Sequence, residues 1–252
     1  MKVVDLNCDM GESYGAWRMG DDRGIMPLIS SANIACGFHA GDPSTIRESV
    51  SLAVQNGVAV GAHPSLPDLQ GFGRRAMKVS PQEVYDLVVY QAGAVAAFAR
   101  AAGSRLHHLK IHGALYNMAA RDAALAEAIA RACRDLDGVI LYALSGSAMM
   151  DAARALGVRA VGEVFADRSY QSDGTLTPRG QPGAMITDEA ASVTQALLMV
   201  LEGKLRSQQG EAVAVDAGTL CLHGDQPGAV RFAKALREAF GSRGIRIAAP
   251  SN

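Results

Sequence analysis

The chain has 252 residues, 49% of them apolar, enough for one large core, and barrels of this size often run as a single unit. Its 24 basic residues nearly balance 25 acidic ones and only 5% of residues are aromatic. Nucleic acid and an anionic membrane surface are therefore poor candidates as partners.

The elements alternate along the chain. Short apolar or β-branched runs at residues 3–6, 32–35, 58–61, 109–111, 139–143, 160–164 and 219–222 predict strands. Weaker runs lie at 213–215 and 245–248, the second a candidate to close the set. Between them, Asp42-Pro43 reads as an N-cap and first-turn proline for a helix over 44–55. Ser80-Pro81-Gln82-Glu83 reads as a capping box opening a helix whose apolar positions include Val84, Val88 and Val95, with the polar Gln91 among them. Helices are also expected at 122–135, 147–156, 188–202 and around 229–240. Strands that alternate with helices pair in parallel, which predicts an α/β fold, a (β/α) barrel ahead of a doubly wound open sheet, over residues 1–252 as one domain. The longest irregular stretch, 167–187, has the length of a lid or binding loop.

Chemistry-bearing side chains collect where the strand-like runs end. Asp9 follows the first run, with Asn7 two positions earlier on the same face; His39 follows the second, His63 the third and His112 the fourth. Glu163 and Asp167 stand at the end of the sixth, and His223 ends the run at 219–222. In a parallel barrel those ends share the C-terminal face, where active sites are built. The glycines of Cys36-Gly37-Phe38-His39-Ala40-Gly41-Asp42 then read as clearance for a ligand. Taken singly, His39, His63 and His112 are equally readable as satisfied turn or strand-end residues, and Asp42 and Asp225 as helix caps. Arg74 and Arg75 in a glycine-framed loop, with Arg168 and Arg179 around the long loop, suit a carboxylate or phosphate, although at least one should be a solvated surface arginine. Lys110 is placed on the strand face opposite His112, where a functional and a solvated surface reading stand equal. Asp9, His63 and His112 can equally form a metal set or a metal-free acid–base cluster.

No phosphate loop, dinucleotide fingerprint, nucleophile elbow or zincin helix occurs. The cysteines, Cys8, Cys36, Cys133 and Cys221, make no CxxC pair and read as small buried hydrophobes in a cytoplasmic, reducing compartment. The N-terminus shows no signal peptide pattern, and the apolar stretch from Ala92 meets Arg100 too early to span a bilayer.

The segments DLNCDMGES, ANIACGFHAGDP, GAHPSLPDLQGFGRR, HGALYN, EVFADRSYQSDG and LCLHGD occur in that order over nearly the whole chain. Together they resemble the LamB/YcsF family, also called the 5-oxoprolinase A-subunit family. The resemblance implies a deviant, seven-stranded, TIM-like barrel akin to the carbohydrate deacetylases. It also implies a share in the ATP-dependent opening of 5-oxo-L-proline (pyroglutamate) to L-glutamate. ATP and Mg2+ would enter at the level of a complex with the B and C subunits, which phosphorylate the lactam; a homo-oligomer stays open. On that basis Asp9, His63, His112 and Glu163 are the expected catalytic residues. Asn7, His39, Arg74, Arg75, Asp167, Arg168 and His223 are expected at the substrate. Ile111 and Leu66 depart from the family pattern, which has proline before the histidine of HGALYN and an aromatic residue after HPS. The alternatives are a metal-dependent carbohydrate deacetylase and a non-catalytic ligand-binding or scaffold subunit.

Overall fold

The computed structural model describes residues 1–224 and 228–251, which leaves Asp225 outside the described residues. In chain order the strands are β1 Val3–Met10, β2 Ser31–Ala35, β3 Ala59–His63, β4 His108–Lys110, β5 Ile140–Leu144 and β6 Ala160–Phe165. They are followed by β7 Lys204–Arg206, β8 Ala212–Ala214, β9 Thr219–His223 and β10 Arg246–Ile247. β1 to β6 and β9 pair in parallel, and β9 pairs back onto β1, closing a seven-stranded barrel. The weak run at 213–215 became β8, part of an antiparallel hairpin with β7 outside the barrel. β10 does not close the cylinder either; it adds to the N-terminal half of β1, Val3 beside Arg246.

The helices are α1 Asp22–Ile25, α2 Pro43–Gln55, α3 Pro81–Ala101, α4 Gly113–Ala119, α5 Ala123–Asp135, α6 Ala148–Ala155, α7 Glu189–Glu202 and α8 Ala229–Ser242. Two of these starts follow the capping chemistry expected of them. Asp42 accepts the Thr45 amide at 2.9 Å to cap α2, and the Ser80–Glu83 capping box is complete. α3 buries Val84, Val88, Ala92 and Val95, and each such valine is worth about 1.5 kcal/mol or more over exposure. Gln91 shares that face because its amide brackets Ser65, donating to the Ser65 carbonyl at 2.8 Å and accepting its amide at 3.0 Å. A helix position thereby fixes the loop behind His63. Among the described residues no helix is long and apolar enough to cross a membrane. All four cysteines are buried and free.

Period two divides each strand between two environments. From β1, Val4, Leu6, Cys8 and Met10 join the apolar core between barrel and helices. The alternate residues Asp5, Asn7 and Asp9 enter a barrel interior that is hydrogen-bonded instead of oily. Asp5 accepts from Ser31 at 2.8 Å and Thr219 at 2.6 Å, and Ser31 meets the Tyr142 hydroxyl at 3.1 Å. Burial pushes the Asp5 carboxyl up, against the opposing pull of Ser30 and Thr219. One layer higher, Asn33 donates to Asn7 at 2.7 Å, and its own carbonyl oxygen meets His108 Nε2 at 2.8 Å. A Cβ at Gly61 would sit 2.0 Å from that His108 nitrogen, so the ring fills the space glycine leaves. This polar column carries the residues of the upper layer.

Candidate active site

At the C-terminal mouth of the barrel lies a cavity of about 360 Å³. Its floor is an ion-pair cluster centred on Lys110. The ammonium lies 2.8 Å from Asp9 Oδ1 and 2.9 Å from Glu163 Oε1, with Asn7 Oδ1 at 3.2 Å and Cys221 Sγ at 3.0 Å. Burial alone would favour the neutral amine, but the charges of Asp9 and Glu163 hold the Lys110 pKa well above the usual lysine range. The placement of Lys110 opposite His112 is therefore corrected. Positions 110 and 112 are two apart, and both enter the barrel mouth.

Burial likewise raises the Asp9 carboxyl, yet His63 and Lys110 outweigh it and keep Asp9 well below the carboxylate range. Its second oxygen lies 3.2 Å from His63 Nε2, and Asn33 donates to the first at 2.8 Å. His63 donates its Nδ1 proton to the Lys110 carbonyl at 2.8 Å, and its Nε2 faces His112 Nδ1 at 2.9 Å. His112 in turn donates from Nε2 to the Phe72 carbonyl at 2.9 Å. Burial, then His39 and His63, push the His112 pKa well below its ordinary value, so it stays neutral.

The loop holding Phe72 presses directly on this pair. Gly73 has φ +64°, and a Cβ there would lie 2.9 Å from His112 Cδ2, 3.0 Å from the His39 Cβ and 2.1 Å from Ser65 Oγ. Gly73→Ala should therefore displace the His112 ring and cost about 1–3 kcal/mol of backbone strain. Chemical unfolding and an NMR spectrum of the histidine side chains measure both. An unshifted His112 resonance at wild-type stability contradicts this packing.

The remaining expected residues divide between cavity and scaffold. Asp9, His63, Arg74, His112, Arg168 and His223 line the cavity. Glu163 does not. It is completely buried beneath the floor, and its oxygens accept from Asn7 at 3.0 Å, Lys110 at 2.9 Å and Tyr116 at 2.6 Å. A general-base role for Glu163 is corrected on that ground; its carboxylate holds Lys110 in place. Asn7 is equally buried and joins Glu163, Thr219 and Lys110, and so supports the floor. Asp167 grips His223 Nδ1 at 2.8 Å, while His223 Nε2 accepts from Arg179 at 3.0 Å, which sets the His223 tautomer. Arg168 donates to the Ala184 carbonyl at 3.2 Å and the Thr177 carbonyl at 2.5 Å. Its guanidinium braces the long loop, and burial beside Arg179 lowers its pKa to about 10. Thr177, Pro178 and Arg179 of that loop form one wall of the cavity.

Of the two adjacent arginines, Arg75 lies outside the cavity and pairs with Asp68, whereas Arg74 stacks over Phe72 and lines the cavity. Arg74→Ala should raise KM for an anionic substrate at least about tenfold, the loss of a charge-assisted hydrogen bond, whereas Arg75→Ala should leave KM and kcat unchanged. Steady-state kinetics on the two variants side by side decide it.

His39 is fully enclosed behind this wall, stacked on His112 with ring centroids 3.8 Å apart. The clearance expected of Gly41 serves a different purpose. A Cβ there would meet Ala35 O at 2.8 Å and Gly11 O at 2.9 Å, so this glycine lets two strand ends touch. Reading the sequence left Lys110 undecided and singled out neither Tyr116 nor Phe72 nor Glu12, the last of which also lines the cavity. For Lys110 the period-two spacing to His112 was the available signal. Asp9, His63 and His112 also do not stand as one metal set. The ligand-bearing atoms that converge are those of Glu12, His39, His63 and His112, and separately those of Asp9, Cys221 and His223.

Comparison with known proteins adds an independent line. The A subunit of 5-oxoprolinase from Bordetella parapertussis is 63% identical over 248 residues, covering 98% of each chain. The crystal structure of a lactam utilization protein from Thermus thermophilus superposes with a TM-score of 0.93 at 52% identity, over 99% of this chain and 100% of that one. A family 4 carbohydrate esterase from Streptomyces lividans shares the fold alone, with a TM-score of 0.51 at 11% identity over 99% of this chain and 93% of that one. The LamB/YcsF family profile matches residues 4–252, and with relatives this similar along its whole length the chain belongs to the LamB/YcsF family.

Proposed function

We propose that this chain is the ring-opening subunit of an ATP-dependent 5-oxoprolinase, converting activated 5-oxo-L-proline to L-glutamate. The observation that carries the reading is a buried acid–base and ammonium cluster at the floor of a small-molecule cavity, in a chain 63% identical over its length to the A subunit of a 5-oxoprolinase. A lactam resists water because the nitrogen lone pair is delocalised into the carbonyl. Phosphorylation of the carbonyl oxygen removes that resonance, and with no phosphate loop in this sequence the step falls to the partner B and C subunits with ATP and Mg2+.

Water then adds to the activated carbon. Asp9 takes a proton from that water, the carbon–nitrogen bond breaks, and the nitrogen leaves protonated as the amine. A second water releases phosphate from the resulting acyl phosphate and gives glutamate. Lys110 keeps Asp9 ionised through both steps, and Arg74 holds the substrate carboxylate. Mixing the purified chain with its two companion subunits, 5-oxoproline, ATP and Mg2+ tests the assignment. Glutamate should form only with all three subunits present, and glutamate formation that does not depend on this chain refutes it.

A further inference from the structure

His39 poses a problem that the lactam chemistry does not solve. Both of its ring nitrogens are buried without a hydrogen-bond partner among the described residues, and the side chain is only 1% exposed. Native interiors rarely tolerate such a group, because its desolvation is uncompensated. A second problem lies beside it. His63 Nδ1 must carry a proton to satisfy the Lys110 carbonyl, and His112 Nε2 must carry one to satisfy the Phe72 carbonyl. In the neutral rings the opposite nitrogens, His63 Nε2 and His112 Nδ1, then face each other at 2.9 Å with lone pairs only. Asp9 Oδ2 adds a third electron-rich atom 3.2 Å from His63 Nε2. Something positive belongs among them. One shared proton would relieve the His63–His112 contact and leave His39 as it is.

We propose that Glu12, His39, His63 and His112 bind one divalent transition-metal ion of the zinc type. Their ligand atoms all lie within 4.8 Å of one another, and every one of the four residues is buried. Three imidazoles and a carboxylate suit Zn2+, Co2+ or Ni2+, and not Mg2+, which prefers oxygen ligands and retained water. The two backbone carbonyls that fix the His63 and His112 tautomers are the outer partners that metal-binding histidines ordinarily have. His39 Nε2, 4.0 Å from Glu12 Oε1, supplies the third nitrogen once the ring swings out of its stack on His112. The ion would border the cavity through Glu12, His63 and His112, which all line it.

This site is independent of the identity of the substrate, and its test uses neither substrate nor partners. Full-length protein stripped with a chelator is titrated with Co2+, followed through the visible d–d absorption, and Zn2+-equilibrated protein is analysed for metal content. One equivalent of each metal is expected, with no displacement by Mg2+. His39→Ala and the isosteric Glu12→Gln, each checked for native circular dichroism, should weaken Co2+ binding about a hundred-fold or more. No binding by the wild-type chain, or unchanged affinity in both folded variants, overturns the site. Either result leaves the glutamate assay to judge the lactam reading separately.

Discussion

Replacing Lys110 by methionine is expected to destabilise the fold by about 3–5 kcal/mol and to abolish turnover, because it leaves two buried carboxylates without their shared cation. Asp9 at 2.8 Å and Glu163 at 2.9 Å both depend on that ammonium, and Asn33, Asn7 and Tyr116 can stabilise them only as hydrogen-bond donors. The double change Lys110→Met with Glu163→Gln should recover part of the stability, since one buried charge disappears with its partner, but none of the activity. Urea unfolding of the wild type and both variants measures the first effect, and reconstituted glutamate formation the second. A stable, active Lys110→Met protein would remove the ion-pair floor from the mechanism.

Asp9→Asn tests the chemistry with less damage to the fold. The substitution keeps shape, and Lys110 retains Glu163, so the melting temperature should fall only slightly. Turnover should drop about a hundred- to ten-thousand-fold, the usual contribution of a positioned acid–base group. The companion change Glu163→Gln separates the roles of the two carboxylates. Asp9 lines the cavity and Glu163 is sealed below it, so Glu163→Gln should act through the placement of Lys110 and show its larger effect in stability. Equal kcat losses with unchanged stability in both variants would mean that the two acids share one task.

Much of this architecture was legible before any coordinates. Strand–helix alternation and the caps at Asp42 and Ser80 placed the barrel and two of its outer helices, since both signals are local. Asp9, His63, His112 and His223 were found because parallel strands deliver their ends to one mouth. What escaped was set by register and depth. Glu163 and Asp9 look equivalent in sequence, each near a strand end, yet Glu163 pairs in register with Thr219 and lies a layer lower. β7 has too few apolar residues to announce itself, and α4 is short and starts directly on the loop that carries His112. The contribution of Phe72 is a backbone carbonyl, which no side-chain pattern reveals. Arg74 and Arg75 are adjacent and alike, and only the presence of Asp68 beside one of them separates the arginine lining the cavity from the one paired at the surface.

The hydrogen-bonded column inside the barrel has a consequence for how this protein can change. Asp5, Ser31, Thr219, Tyr142, Asn33 and His108 satisfy one another across five different strands. An apolar interior accepts substitutions one at a time with graded losses, whereas here each single replacement strands a donor or acceptor on a neighbouring strand. Tolerated variation at these positions should come in compensating sets, and pairwise thermodynamic cycles across them should depart from additivity by about 0.5–3 kcal/mol.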